Sequence, residues 1–192
     1  MSCTEILKAI LDSDDFTVGG GSAAALTGGM AAALAAMVAK LSLKKDFGLT
    51  HEEYSEIASR AGELSASLVE GSENDVQAFA MVKAAYAMPK GTQDEKKERA
   101  AAIEQAFIQA ALVPKYNAWN CHKVWELCTR LAGRSNPNAS SDLETARSLA
   151  RAAMIGCLLN IEINLDSIKN EDVKNQLQED IKKLRDLVRA SE

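Results

Sequence analysis

Apolar residues recur at intervals of three and four along most of the chain, and no segment of more than a few residues alternates with period two. The pattern predicts helices and no sheet. A short helix over about 4–12 leads through a glycine-rich turn into a second over about 22–42, and a long third helix runs from about 51 to 88. Met88-Pro89-Lys90-Gly91 stops it. A fourth helix spans about 93–132; Pro114 inside it removes a backbone donor and is expected to kink it. GRSNPNASS, residues 133–141, reads as a loop, followed by a helix to about 168 and a charged amphipathic helix over 171–190. These elements make an all-α, up-and-down bundle of long helices, in a single domain covering 1–192.

Composition sharpens the picture. Of 192 residues, 47% are apolar but only 5% aromatic, so alanine must fill a core of closely apposed helices. The net charge of −5, with no basic face carrying aromatics, argues against nucleic-acid binding. Residues 18–39 hold no charge and are long enough to span a bilayer, yet nine alanines and five glycines stand there against six large apolar residues, so a membrane span is not expected. The N-terminus lacks a signal-peptide pattern. Cys3, Cys121, Cys128 and Cys157 form no CxxC and read as reduced thiols of a cytoplasmic protein.

FTVGGGSAAALTGGMAAAL, residues 16–34, carries the most unusual chemistry. A glycine turn opening a helix leaves backbone N–H groups unpaired at the positive end of the dipole, so Gly19, Gly20, Gly21 and Ser22 form a candidate site for an anion or a carbonyl. The same residues would also simply start a helix. No Gly-Lys-Ser/Thr follows, which excludes a P-loop. Gly28 and Gly29 lie inside the helix and should each cost it about 1 kcal/mol relative to alanine. Ala24, Gly28, Ala31, Ala32 and Ala35 sit three or four apart and suggest a smooth strip for close packing, either internal or between subunits.

Asp75 shares a helical face with Phe79, Val82 and Tyr86. Burial there would raise its pKa and suit it to proton transfer; pairing with a lysine or capping a neighbouring helix would account for it equally well. Ser141-Asp142-Leu143-Glu144 fits a capping box with Ser141 as N-cap and Asp142 in the first turn, and Asn136 and Asn138 precede it. Asn160 and Asn164 lie one turn apart in apolar surroundings, where hydrogen bonding between helices is the simpler account. His51 and His122 have no partners at metal-ligand spacing, so no metal site is assigned.

GGGSAAALTGGMAAALAAMVAKL, DVQAFAMVKAAYAMPK, RAAAIEQAFIQAALVPK and NPNASSDLETA with NIEINL, in that order, resemble the cyclodeaminase domain of formiminotransferase-cyclodeaminase and the free-standing methenyltetrahydrofolate cyclohydrolases similar to it. The resemblance implies an all-helical homodimer acting on the one-carbon unit of tetrahydrofolate, without metal or redox cofactor. It implies a proton-donor role for Asp75 and a catalytic or supporting one for Asp142. Folate contacts fall on Gly19 to Ser22, Asn136, Asn138 and Ser141, with Lys83 and Lys90 as weaker candidates for the glutamate carboxylates. Val18 stands where the family has proline, Lys115 where it has leucine, and Ser135 where it has glycine. With no formiminotransferase segment in the chain, the cyclohydrolase reaction is expected ahead of the cyclodeaminase one. A non-catalytic folate-binding or scaffold protein is the alternative.

Overall fold

A computed structural model describes residues 1–191. The chain forms six α-helices: α1 (Cys3–Leu11), α2 (Gly20–Ser42), α3 (His51–Ala87), α4 (Gln93–Leu131), α5 (Ser140–Leu165) and α6 (Glu171–Ala190), with a 3-10 turn at Pro137–Ala139 before α5. No strand occurs among the described residues. Three helix starts follow one rule: Ser2 with Glu5, Thr50 with Glu53 and Thr92 with Glu95 each close a capping box.

The expected box at Ser141 does not form. The 3-10 turn runs directly into α5, so the helix begins two residues earlier, at Ser140 with Ala139 before it, and Ser141 lies inside it. Glu144 turns away to Arg147, 3.1 Å distant. Asn136 takes over the local capping, its side chain accepting from the Asn138 N–H at 3.1 Å.

Short connections make successive long helices antiparallel. α2 sits between α3 and α5 with α4 behind it, and α6 closes over α4 and α5. The alanine strip of α2 faces inward: Ala24, Gly28, Ala31, Ala32 and Ala35 are all buried, so the packing they serve is internal. A Cβ on Gly28 would come within 2.5 Å of Cys121 Sγ, and one on Gly29 within 3.4 Å of the Ser65 carbonyl. Gly28 therefore admits a thiol that a Cβ would displace, a contact that offsets its low helix propensity, whereas a Cβ at Gly29 would make ordinary contact. Tyr54, Ile57, Leu68, Val124, Leu131 and Met154 fill the space around the small residues.

What α2 leaves uncovered is a different face, with Met30, Ala33, Met37 and Leu41 exposed along it. Although α2 is long and apolar enough to cross a membrane, two thirds of its most apolar stretch is buried in the bundle. Cys121, Cys128 and Cys157 are buried free thiols and Cys3 is exposed. Burial pushes the Cys128 thiol up to about 12, and contact with Cys121 together with burial holds that of Cys157 well above the usual range, so neither is a thiolate nucleophile.

Candidate active site

α2 starts at Gly20, inside the glycine run, with Gly19 extended before it and no side chain of its own capping the first turn. The cap comes from α3. Asp75 accepts hydrogen bonds from the Ser22 hydroxyl, at 2.8 Å, and from the Ser22 backbone N–H. The capping alternative for Asp75 is thus realised, but the carboxylate also lines a cleft. A Cβ at position 21 would collide with the Asp75 carboxylate, so glycine there lets that side chain keep its place against the helix start.

The cleft encloses about 320 Å³, at the small end of ligand pockets and suited to a compact ring system. The glycine turn and Asp75 form one wall, Phe79 and Phe107 a second, and Asn160, Ile163 and Asn164 of α5 a third. Phe16 and Thr17, in the segment before the glycine turn, also line it. Burial raises the Asp75 pKa above its ordinary 3.8, and the two Ser22 hydrogen bonds oppose that rise without cancelling it. A carboxylate so placed can exchange a proton with a bound molecule nearer neutral pH than an exposed aspartate could. The neighbouring N–H groups offer donors for a developing oxyanion.

The expected site residues divide between two ends of the bundle. Gly19, Gly20, Gly21, Ser22 and Asp75 meet at the start of α2. Asn136 meets its end: its N–H donates to Ser42 Oγ at 2.9 Å and its side-chain amide to the Leu41 carbonyl at 3.4 Å. Twenty residues of helix separate Ser22 from Ser42, about 30 Å. Asn138, Ser141 and Asp142 belong to that distant end, so within one chain they do not line the Asp75 cleft. Lys83 stands near the cleft with its ammonium 5.1 Å from the centre of the Phe79 ring, whereas Lys90 lies beyond the end of α3.

Asn160 and Asn164 line the cleft, and the hydrogen bond between helices expected there is made by Asn164. Pro114 accounts for it. α4 runs through this proline unbroken, and the carbonyl four residues earlier, Ala110, has no N–H to accept from. Asn164 Nδ2 reaches across from α5 and donates to that carbonyl at 3.0 Å.

A match to the family model described as formiminotransferase-cyclodeaminase extends over residues 2–183. The chain belongs to the formiminotransferase-cyclodeaminase family. Among its relatives is the methenyltetrahydrofolate cyclohydrolase of Methylorubrum extorquens, 33% identical over 98% of this chain and 91% of that protein. The formimidoyltransferase-cyclodeaminase of Gallus gallus is 29% identical over 86% of this chain, which spans only 31% of that longer protein. The crystal structure of formiminotetrahydrofolate cyclodeaminase from Thermotoga maritima superposes with a TM-score of 0.84, at 26% identity, covering all of this chain and 91% of that one. The cyclohydrolase and the solved cyclodeaminase chain therefore both match this family member over nearly their whole length.

Proposed function

We propose that the chain is a tetrahydrofolate one-carbon enzyme that hydrolyses 5,10-methenyl-tetrahydrofolate to the 10-formyl form, with Asp75 transferring the protons. The observation carrying this reading is a carboxylate of raised pKa, held by Ser22 at the glycine-rich start of α2 inside a ring-sized cleft. The 33% identity to a cyclohydrolase over nearly both full lengths supports the choice of reaction.

The methenyl carbon is an electrophile flanked by N5 and N10. Asp75 as carboxylate accepts a proton from the attacking water, and a C–O bond forms. The α2 N–H groups stabilise the oxygen as the tetrahedral adduct collapses. Asp75 then returns its proton to N5 as the C–N5 bond breaks, and the hydroxyl proton leaves to solvent, giving the N10-formyl product and one released proton. The cleft's size seats the ring system, and the aminobenzoyl-glutamate arm runs outward past Phe79 to Lys83. This chemistry requires no metal or redox cofactor, and the protein acts in the cytoplasm. Its exposed α2 face, Met30, Ala33, Met37 and Leu41, joins two copies in a homodimer. Asn136, Asn138, Ser141 and Asp142 support the loop at the far end of α2 rather than touching the same protomer's substrate.

The full-length structural likeness to a formiminotetrahydrofolate cyclodeaminase favours a second reading, ring closure of 5-formimino-tetrahydrofolate with loss of ammonia. The methenyl chromophore separates the two. Purified protein is supplied with each substrate; faster loss from the methenyl form supports hydrolysis, and chromophore gain with ammonia from the formimino form supports cyclodeamination. No acceleration in either direction would leave a non-catalytic folate binder.

A further inference from the structure

We propose that Asn160 and Asn164 read the N–H donors on the pyrimidine edge of the substrate's pterin, using their two side-chain oxygens as fixed acceptors; this rests on the folate reading above. A carboxamide can present either its oxygen or its nitrogen, and here the choice is made by the protein. Asn164 Nδ2 spends both hydrogens on carbonyls, Ala110 at 3.0 Å and Asn160 at 2.7 Å. Asn160 Nδ2 donates to the Gly156 carbonyl at 2.8 Å. Flipping either amide would set oxygen against carbonyl oxygen. Both side-chain oxygens are therefore held as acceptors on a cleft wall, and no described side chain donates to either.

The proline makes this arrangement specific. An ordinary helix would satisfy the Ala110 carbonyl from residue 114. Pro114 has no N–H, so that carbonyl is free to anchor Asn164. A site whose acceptors are pinned and unpaired selects a ligand carrying N–H donors on a flat ring, and rejects one that offers oxygen at the same place. Pterin offers N3–H and the 2-amino group along one edge. With Asp75 on the neighbouring wall engaged by Ser22 and committed to proton transfer, the two amide oxygens are the side-chain acceptors that the α5 wall offers.

The test compares 6-methyltetrahydropterin with 6-methyltetrahydrolumazine, which carries oxygen in place of the 2-amino group. Wild-type protein should bind the pterin about tenfold more tightly or better. Asn160→Ala and Asn164→Ala should each reduce that ratio to about threefold or less and raise KM for the methenyl substrate, leaving the pH profile of kcat in place. Asn164→Ser, which keeps a donor for the carbonyls, serves if the alanine variant unfolds. Equal binding of the two rings by wild-type protein, or variants that retain the full ratio, would overturn the inference while leaving folate binding intact. Failure of the wild-type protein to bind 5-formyltetrahydrofolate at all would overturn the folate reading and this inference together.

Discussion

The Ser22 hydroxyl lies 2.8 Å from Asp75 Oδ2 and 3.2 Å from the Ser72 carbonyl, yet has one hydrogen to give. With Asp75 ionised, the hydrogen goes to the carboxylate. Once Asp75 is protonated, the carboxyl can donate to Ser22 Oγ, and the hydroxyl turns to Ser72. One side chain thus satisfies both protonation states of a group that alternates between them in the proposed mechanism. Ser22→Ala removes the hydroxyl bond that favours the carboxylate and leaves the backbone one, so the acid limb of kcat/KM should move to higher pH and turnover should fall about tenfold. An unmoved limb would show that Ser22 does not set the Asp75 proton.

Asp75→Asn should keep the fold and lose about a hundredfold or more of turnover. Stability should move the other way. Because burial raises the folded-state pKa, Asp75 contributes no penalty below its unfolded value near 3.8 and an increasing one as pH rises through the folded value. The asparagine variant should therefore melt higher than wild type at neutral pH, with the difference vanishing as pH falls toward 4. Undiminished turnover would remove Asp75 from the mechanism.

Gly21 and Asp75 are coupled by space. Gly21→Ala drives a methyl group into the carboxylate and should cost about 1–3 kcal/mol as well as activity. In an Asp75→Gly background the same substitution should cost close to nothing, so the double-mutant cycle should show strong non-additivity. Additive effects would mean that the alanine is rejected for a different reason.

The helices were legible because amphipathic spacing and punctuation agree: Pro89-Lys90-Gly91 ends α3, and the glycine run starts α2 within two residues of expectation. The capping boxes show where local rules stop. Thr50 and Glu53 form one as the pattern requires, whereas Ser141 and Glu144 fit the same pattern and do not, because the turn at Pro137 starts α5 upstream. The cleft was half legible. Glycine permissiveness and a lone carboxylate on a partly apolar face pointed to Gly21 and Asp75. That Asn136 lies about 30 Å from them follows from which end of α2 each neighbour packs on, a tertiary fact that no motif encodes. The spacing of Asn160 and Asn164 announces a hydrogen bond between helices but not its partner, a carbonyl freed by a proline fifty residues from Asn164.

Pro114→Ala tests that link. The substitution restores an N–H for the Ala110 carbonyl, and the gain in helix propensity, up to about 3 kcal/mol, outweighs the lost packing of a buried ring. Thermal stability should be equal or higher. The carbonyl then has a second donor competing with Asn164 Nδ2, so KM should rise several-fold with kcat little changed. A KM identical to wild type would mean that the Asn160 carbonyl alone suffices to hold Asn164.

The exposed strip of α2 makes a prediction about assembly. Met30 is 54% exposed, Met37 37% and Leu41 41%, and beside them a shallow groove of about 510 Å³ runs between α2 and α3, floored by Ala33, Ala36, Gly62 and Ser65. Small residues on the floor and flexible methionines on the rim let two such faces interdigitate about a two-fold axis. A carboxylate at the centre would have to be desolvated without a partner, so Met37→Asp should weaken association by about a hundredfold or more. Sedimentation should then report 20.6 kDa particles where the wild type gives twice that mass. Because the Asp75 cleft lies at the other end of the same helix, the monomer should still bind folate; a wild-type protein that sediments as a monomer would refute the dimer.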